Sequence, residues 1–126
     1  MINIDTQIKH WVEGSREEWE VACELIANGR TRHGLFGAHL ALEKILKAHV
    51  CRHTGDLAPR IHNLARLVEL AALDIDQETK NFLFEMNKFN LVGRYPEHQA
   101  PIPDLPSAKT IMCRVEEILQ CLNKTL

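Results

Sequence analysis

The chain predicts an all-α fold, an up-and-down, antiparallel bundle of four to five helices forming a single domain over residues 1–126. Three observations carry this. Apolar residues recur at spacings of three and four along most of the chain, the period of one helix face, and no stretch shows the alternation of a strand. The first two periodic stretches are joined by only a few residues, which makes their helices antiparallel neighbours. With 126 residues, 45% of them hydrophobic, the chain can bury one core without disulfides or a structural metal.

The first helix begins near Asp5 or Thr6, either of which can cap free amides. Ile8, Trp11, Val12, Trp19, Ala22, Leu25 and Ile26 mark its apolar face, and Glu13, Glu17, Glu18, Glu20 and Glu24 its wet side. Ser15 falls on the apolar stripe and implies a small contact there. Two tryptophans on one helix read as core or interface anchors. Asn28 and Gly29 stop the helix, since both tolerate a left-handed backbone.

The second helix, Thr31 to Arg52, is the element around which the others are arranged. Leu35, Ala38, Leu42, Ile45 and Leu46 form a stripe widened by Phe36, Leu40 and Ala41, which suits packing on more than one side. Its polar side reads His39, Glu43, Lys44 and Lys47, and Glu43 with Lys47 has the spacing of a surface ion pair. Gly34 and Gly37 in its first turns fit either a close helix contact or a frayed start. It ends near His53, before Thr54 and Gly55.

A loop over Gly55–Arg60 leads to a short third helix, with Pro59 in its first turn and Ile61, Leu64, Leu67, Val68 and Ala71 as its stripe. Leu73 and Asp74 close it. Asp76 caps the fourth helix, with Thr79 three residues on, and Phe82, Leu83, Met86, Phe89 and Asn90 carry it to about Val92. Gly93–Pro106 holds four of the five prolines and is an irregular, Pro-rich crossover. Ser107 caps the last helix, whose stripe is Ala108, Ile111, Met112, Val115, Ile118, Leu119 and Leu122.

Net charge is -2, so the molecule as a whole does not attract nucleic acid. Its distribution is uneven: residues 1–29 carry six acidic and two basic side chains, and residues 30–70 seven basic and three acidic, with five of the seven histidines. That middle segment is a candidate anion-binding surface. The four cysteines, Cys23, Cys51, Cys113 and Cys121, make no CxxC and read as reduced thiols of a cytoplasmic protein. No apolar run approaches a transmembrane span, so no membrane association is expected. No phosphate loop or HExxH occurs, and His49 with His53 lacks a third ligand at motif spacing. Neither a metal nor a cofactor is expected. Arg94-Tyr95-Pro96-Glu97-His98 places a fixed cation beside a proton carrier, the pair that metal-free RNA phosphodiester cleavage needs.

Three tracts in order, FGAHLALEKILKA in helix two, IHNL at helix three and MNKFNLVGRYPE, resemble the HEPN family, and the resemblance runs from about Asp5 to Asn123. It implies a helical bundle, commonly a two-fold homodimer with a cleft at the interface. Many members act beside a minimal nucleotidyltransferase in a toxin–antitoxin pair, and toxin-like branches are metal-independent ribonucleases. Residue by residue, Glu43, Lys44 and Lys47 match the helix-two signature, and His39 stands where glutamine is frequent. His62 and Leu64 match a THDL-like tract, and Arg94, Tyr95 and Pro96 match RYP. The resemblance therefore implies a nucleotide or RNA phosphate bound by His39, Lys44, Lys47, Arg94 and Tyr95. Arg94, His98 and His62 are its candidate catalytic residues, and Glu43, Leu64 and Pro96 its structural signature. The ribonuclease branches separate arginine and histidine by four to six residues. Here three residues lie between Arg94 and His98, Pro96 among them, so that motif is absent in strict form. Two other readings stand beside this one: an internal ion-pair network on Glu43, and a non-catalytic protein-interaction module.

Overall fold

The structure, a computed structural model, describes residues 2–94 and 101–126, with the backbone alone for residues 91–94. Five helices follow one another: α1 (Ile4–Ala27), α2 (Thr31–Thr54), α3 (Leu64–Leu70), α4 (Gln77–Arg94) and α5 (Leu105–Asn123). They form an up-and-down bundle without a strand among the described residues. α2 packs against all four others and is its axis.

The buried core follows the predicted stripes. Leu35, Leu42, Ile45 and Leu46 of α2 meet Leu64 and Leu67 of α3, Leu83 and Met86 of α4, and Val115 of α5, all essentially without solvent contact. The close-contact reading of the two glycines holds. A Cβ on Gly34 would stand 2.5 Å from Ile26 Cδ1, and one on Gly37 would stand 3.1 Å from the Ala22 Cβ. Bare backbone there lets α1 and α2 approach. Ser15 is the small contact foreseen: its hydroxyl donates to the Ala41 carbonyl at 2.7 Å.

Several expectations are corrected. Asn3, not Asp5 or Thr6, caps α1, accepting the Thr6 amide at 3.1 Å. Helix three does not start at Pro59. The chain stays irregular through Asn63, whose carboxamide oxygen accepts the Arg66 amide at 3.2 Å, leaving a helix of seven residues. Asp104 rather than Ser107 caps α5, accepting the Ser107 amide at 2.8 Å, and Pro106 sits inside the first turn. Asp76 caps α4 as expected, through the Thr79 amide at 2.7 Å. Most consequentially, the polar side of α2 is not wet: His39, Glu43 and Lys47 are buried, so their pairing is internal rather than a surface ion pair. The crossover expected over Gly93–Pro106 is shorter among the described residues, since α4 runs to Arg94 and α5 starts at Leu105, and its residues 95–100 lie outside them.

Candidate functional site: a buried carboxylate behind a half-exposed histidine

His39, Glu43 and Lys47 follow each other at intervals of four, one stripe along α2. The segment before α3 and the side of α1 cover this stripe. Three cationic or potentially cationic groups converge on the Glu43 carboxylate. Lys47 Nζ donates to Oε2 at 3.0 Å, His62 Nδ1 stands 3.0 Å from Oε1, and His39 Nδ1 stands 3.9 Å from Oε1. The Glu43 and Lys47 side chains are 6% and 7% exposed, so water does little to screen the pair. Lys47 Nζ also lies over the Trp11 ring, 5.2 Å from its centroid, a second favourable contact for a desolvated ammonium.

The two histidines differ in kind. His39 has no solvent contact, and neither of its ring nitrogens finds a hydrogen-bond partner of good geometry. Burial holds its pKa down to about 4, against the opposing pull of the Glu43 carboxylate, the Asn87 side chain and the His62 backbone. His39 is therefore neutral near pH 7. The His62 side chain is 48% exposed. An ionised carboxylate only accepts, so Glu43 takes the Nδ1 hydrogen of His62 and directs Nε2 away from the cluster.

Around His62 lies a shallow groove lined by His62, Asn63, Asn87 and Asn90. Asn87 of α4 clamps its floor. Its carboxamide oxygen accepts the Leu64 amide at 2.9 Å, while its nitrogen donates to Asn63 Oδ1 at 3.0 Å. The start of α3, and with it His62, is thus held from α4 as well as from α2. Arg94 is four residues beyond Asn90 and seven beyond Asn87 on α4, which places it on the same helix face by register. The Arg94 side chain, and Tyr95, Pro96 and His98 entirely, lie outside the described residues.

The predicted residues thus divide. Glu43, Lys47, His39 and His62 come together, with Leu64 fully buried just beyond them. Lys44 turns to α1 instead, over Gly14, and donates to Glu18 at 2.9 Å. Sequence reasoning left Trp11, Asn63, Asn87 and Asn90 without a polar role. The three asparagines were visible inside the IHNL and MNKFNLVGRYPE tracts, but nothing in their spacing shows that one bridges two helices. Among the described residues no three His, Cys, Asp or Glu side chains, the His39–Glu43–His62 cluster included, are arranged to hold a metal ion. His49 Nε2 pairs with the Leu122 carbonyl at 2.8 Å, and His53 is exposed. No helix among the described residues is long and apolar enough to cross a membrane.

A family model described as the HEPN domain matches residues 8–125. The chain belongs to the HEPN domain family. The cluster on Glu43 and the asparagine clamp therefore sit within a HEPN domain that spans nearly the whole chain. Among solved structures, TT1696 from Thermus thermophilus is similar, with a TM-score of 0.78 and 21% identity over 95% of this chain and 98% of that one. That likeness speaks for a shared fold and not for an activity. Comparison with curated proteins gives no significant match.

Proposed function

We propose that this HEPN protein binds a phosphate-bearing ligand, a nucleotide or an RNA backbone, in the groove of His62, Asn63, Asn87 and Asn90. The observation that carries the reading is the 3.0 Å contact between Glu43 and His62 Nδ1. A buried carboxylate fixes the ring through Nδ1, so Nε2 is not engaged by Glu43, and His62 lines the groove beside the α4 face where Arg94 falls by register. Arg94 supplies hydrogen bonds to phosphate oxygens, and His62, with Nδ1–H on Glu43, donates one from Nε2 in its imidazolium form, each strengthened by charge. Asn63 and Asn87 shape the floor. Lys47 acts from behind by holding the other oxygen of Glu43 at 3.0 Å, and Lys44 serves the α1–α2 contact. His39, Tyr95 and Pro96 enter the reading through family resemblance alone.

The test is anisotropy of labelled single-stranded RNA, and competition by AMP and ATP, with wild-type protein, His62→Gln, Arg94→Ala and the remote surface variant Lys109→Ala. The expected result is binding that weakens about tenfold or more in the first two variants, that ratio being about 1.4 kcal/mol, and holds in the third. Equal affinity for all four sinks the proposal.

A second reading, metal-independent ribonuclease, is favoured by the same carboxylate–histidine contact. A ring oriented in this way can accept the proton of an attacking 2′-hydroxyl, with Arg94 stabilising charge on phosphate and His98 as a second proton carrier. Cleavage that survives EDTA, leaves a 2′,3′-cyclic phosphate and is lost in His62→Gln supports it. Intact RNA under all conditions leaves the binding role alone. A homodimer and a minimal nucleotidyltransferase partner belong to the family-based part of the proposal, as does a cytoplasmic setting. Sedimentation at micromolar concentration and co-purification with a co-expressed nucleotidyltransferase test the first two.

A further inference from the structure

A second surface, on the far side of α1, is not used by this site. α1 and α5 both rest on α2 and touch each other only lightly. Between them is an open groove of about 330 Å³. Val12, Trp19 and Leu119 give it an apolar floor, with Arg16 on one wall and Glu116 on the other. Val12 and Trp19 pack on the edge of the core and are only half-buried.

The charge beside the groove is mostly acidic. Glu13, Glu17, Glu20 and Glu24 are all exposed and fall on one ridge of α1, next to the face that carries Val12, Arg16 and Trp19. Across the groove Glu116 adds a further carboxylate to its wall. Compensation is partial: Arg16 stands on the groove wall, and Lys9 reaches Glu13 only at 4.0 Å with both side chains in water. A second copy of this chain docked through the same face by a two-fold axis would set acidic ridge against acidic ridge, which costs free energy. The surface asks for apolar residues in the middle and positive charge at the edge.

We propose that the α1–α5 groove seats a basic amphipathic helix of a partner protein. Its apolar residues, at spacings of three, four and seven, enter between Val12, Trp19 and Leu119, and its flanking lysines or arginines lie along Glu13, Glu20 and Glu116. Val12 to Trp19 spans about 10 Å of α1, so the contact covers roughly two turns of the incoming helix. A contact of that extent gives affinity in the micromolar range, with charge setting specificity and on-rate. This inference is independent of the phosphate reading and involves none of its residues.

The probe is a fluorescein-labelled peptide of about 18 residues, five helical turns, with leucines on one face and lysines on its flanks. A matched peptide carries glutamates in place of the lysines. Anisotropy is read with the full chain and with two variants, Trp19→Ala and the exposed pair Glu13→Lys with Glu20→Lys, whose helicity is checked by circular dichroism. The lysine peptide is expected to bind at micromolar concentration, and the glutamate peptide about tenfold or more weakly. The charge-reversed variant, which leaves the ridge near neutral, should erase most of that preference, and Trp19→Ala should weaken the lysine peptide. The proposal is overturned if neither peptide binds, if both bind alike, or if charge reversal changes nothing. A concentration-dependent dimer that Trp19→Ala abolishes would give the groove to a second copy and overturn it as well.

Discussion

Glu43→Leu should be among the most damaging single substitutions that leave the apolar core intact. Its removal leaves the Lys47 ammonium, 7% exposed, without its carboxylate at 3.0 Å. Breaking a buried pair from one side costs about 3–5 kcal/mol. The Trp11 ring at 5.2 Å remains for Lys47, and returns about 1 kcal/mol of that, so a loss near 3 kcal/mol is expected. Lys47→Met should cost less, about 1–2 kcal/mol, because Glu43 keeps His62 at 3.0 Å on its other oxygen. The double variant replaces both charges by apolar groups against Trp11 and should return to within about 1 kcal/mol of wild type. The assay is urea unfolding followed by far-UV circular dichroism, with the slope unchanged across the set, and the double-mutant cycle gives the coupling. Strictly additive losses, or a Glu43→Leu cost under about 1 kcal/mol, would refute the reasoning, since both require that Lys47 reach water.

Three further outcomes follow from the same geometry. Because the folded pKa of His39 is about 4 and the unfolded value about 6.5, the unfolded chain binds more protons between the two. Stability is then full above pH 6.5 and lost as pH falls toward 4, and His49, also lowered by burial, acts in the same direction. Urea unfolding should show a loss of about 2 kcal/mol from His39 between pH 7 and pH 5, and His39→Gln should remove most of that difference. Asn87→Ala, which frees the Leu64 amide and the Asn63 oxygen, should cost about 2 kcal/mol and raise hydrogen exchange at the start of α3. Asp104→Ala should cost about 1 kcal/mol as a lost helix cap, while Ser107→Ala, donating only its unchanged backbone amide, should be silent in the same melts.

The helices were legible because they are long and strongly periodic. Ala22, Leu42, Met86 and Val115 fall in the core where the spacing of three and four puts them. Caps were harder, because Asn3, Asp104 and Ser107 are all competent residues and the choice depends on where the chain arrives from. The third helix was overdrawn because Ile61 continues an apolar stripe that the backbone does not follow. His62 must reach Glu43, 19 positions earlier, and an extended segment does so where a helical turn would rotate it elsewhere. The candidate site was half visible. Its α2 members share a stripe, but stripe position does not say whether a polar residue faces water or a covering segment. The burial of His39, Glu43 and Lys47 comes from Trp11 and the Ile61–Asn63 segment, which are distant in sequence.

A buried ionic cluster is weak evidence for function, because it can also serve only to hold one packing. The Glu43→Leu/Lys47→Met double variant separates the two roles, since stability is expected to survive in it. If the cluster only holds α3 against α2, a folded double variant keeps its affinity for RNA. If Glu43 orients His62, the ring in that variant loses its Nδ1 acceptor and with it a fixed direction for Nε2. A charge-assisted hydrogen bond of about 1.5–3 kcal/mol is then no longer directed into the groove, and affinity should fall about tenfold or more. The decisive comparison is therefore binding at matched stability: an undiminished affinity in the stable double variant would assign Glu43 to the scaffold and leave His62 acting without it.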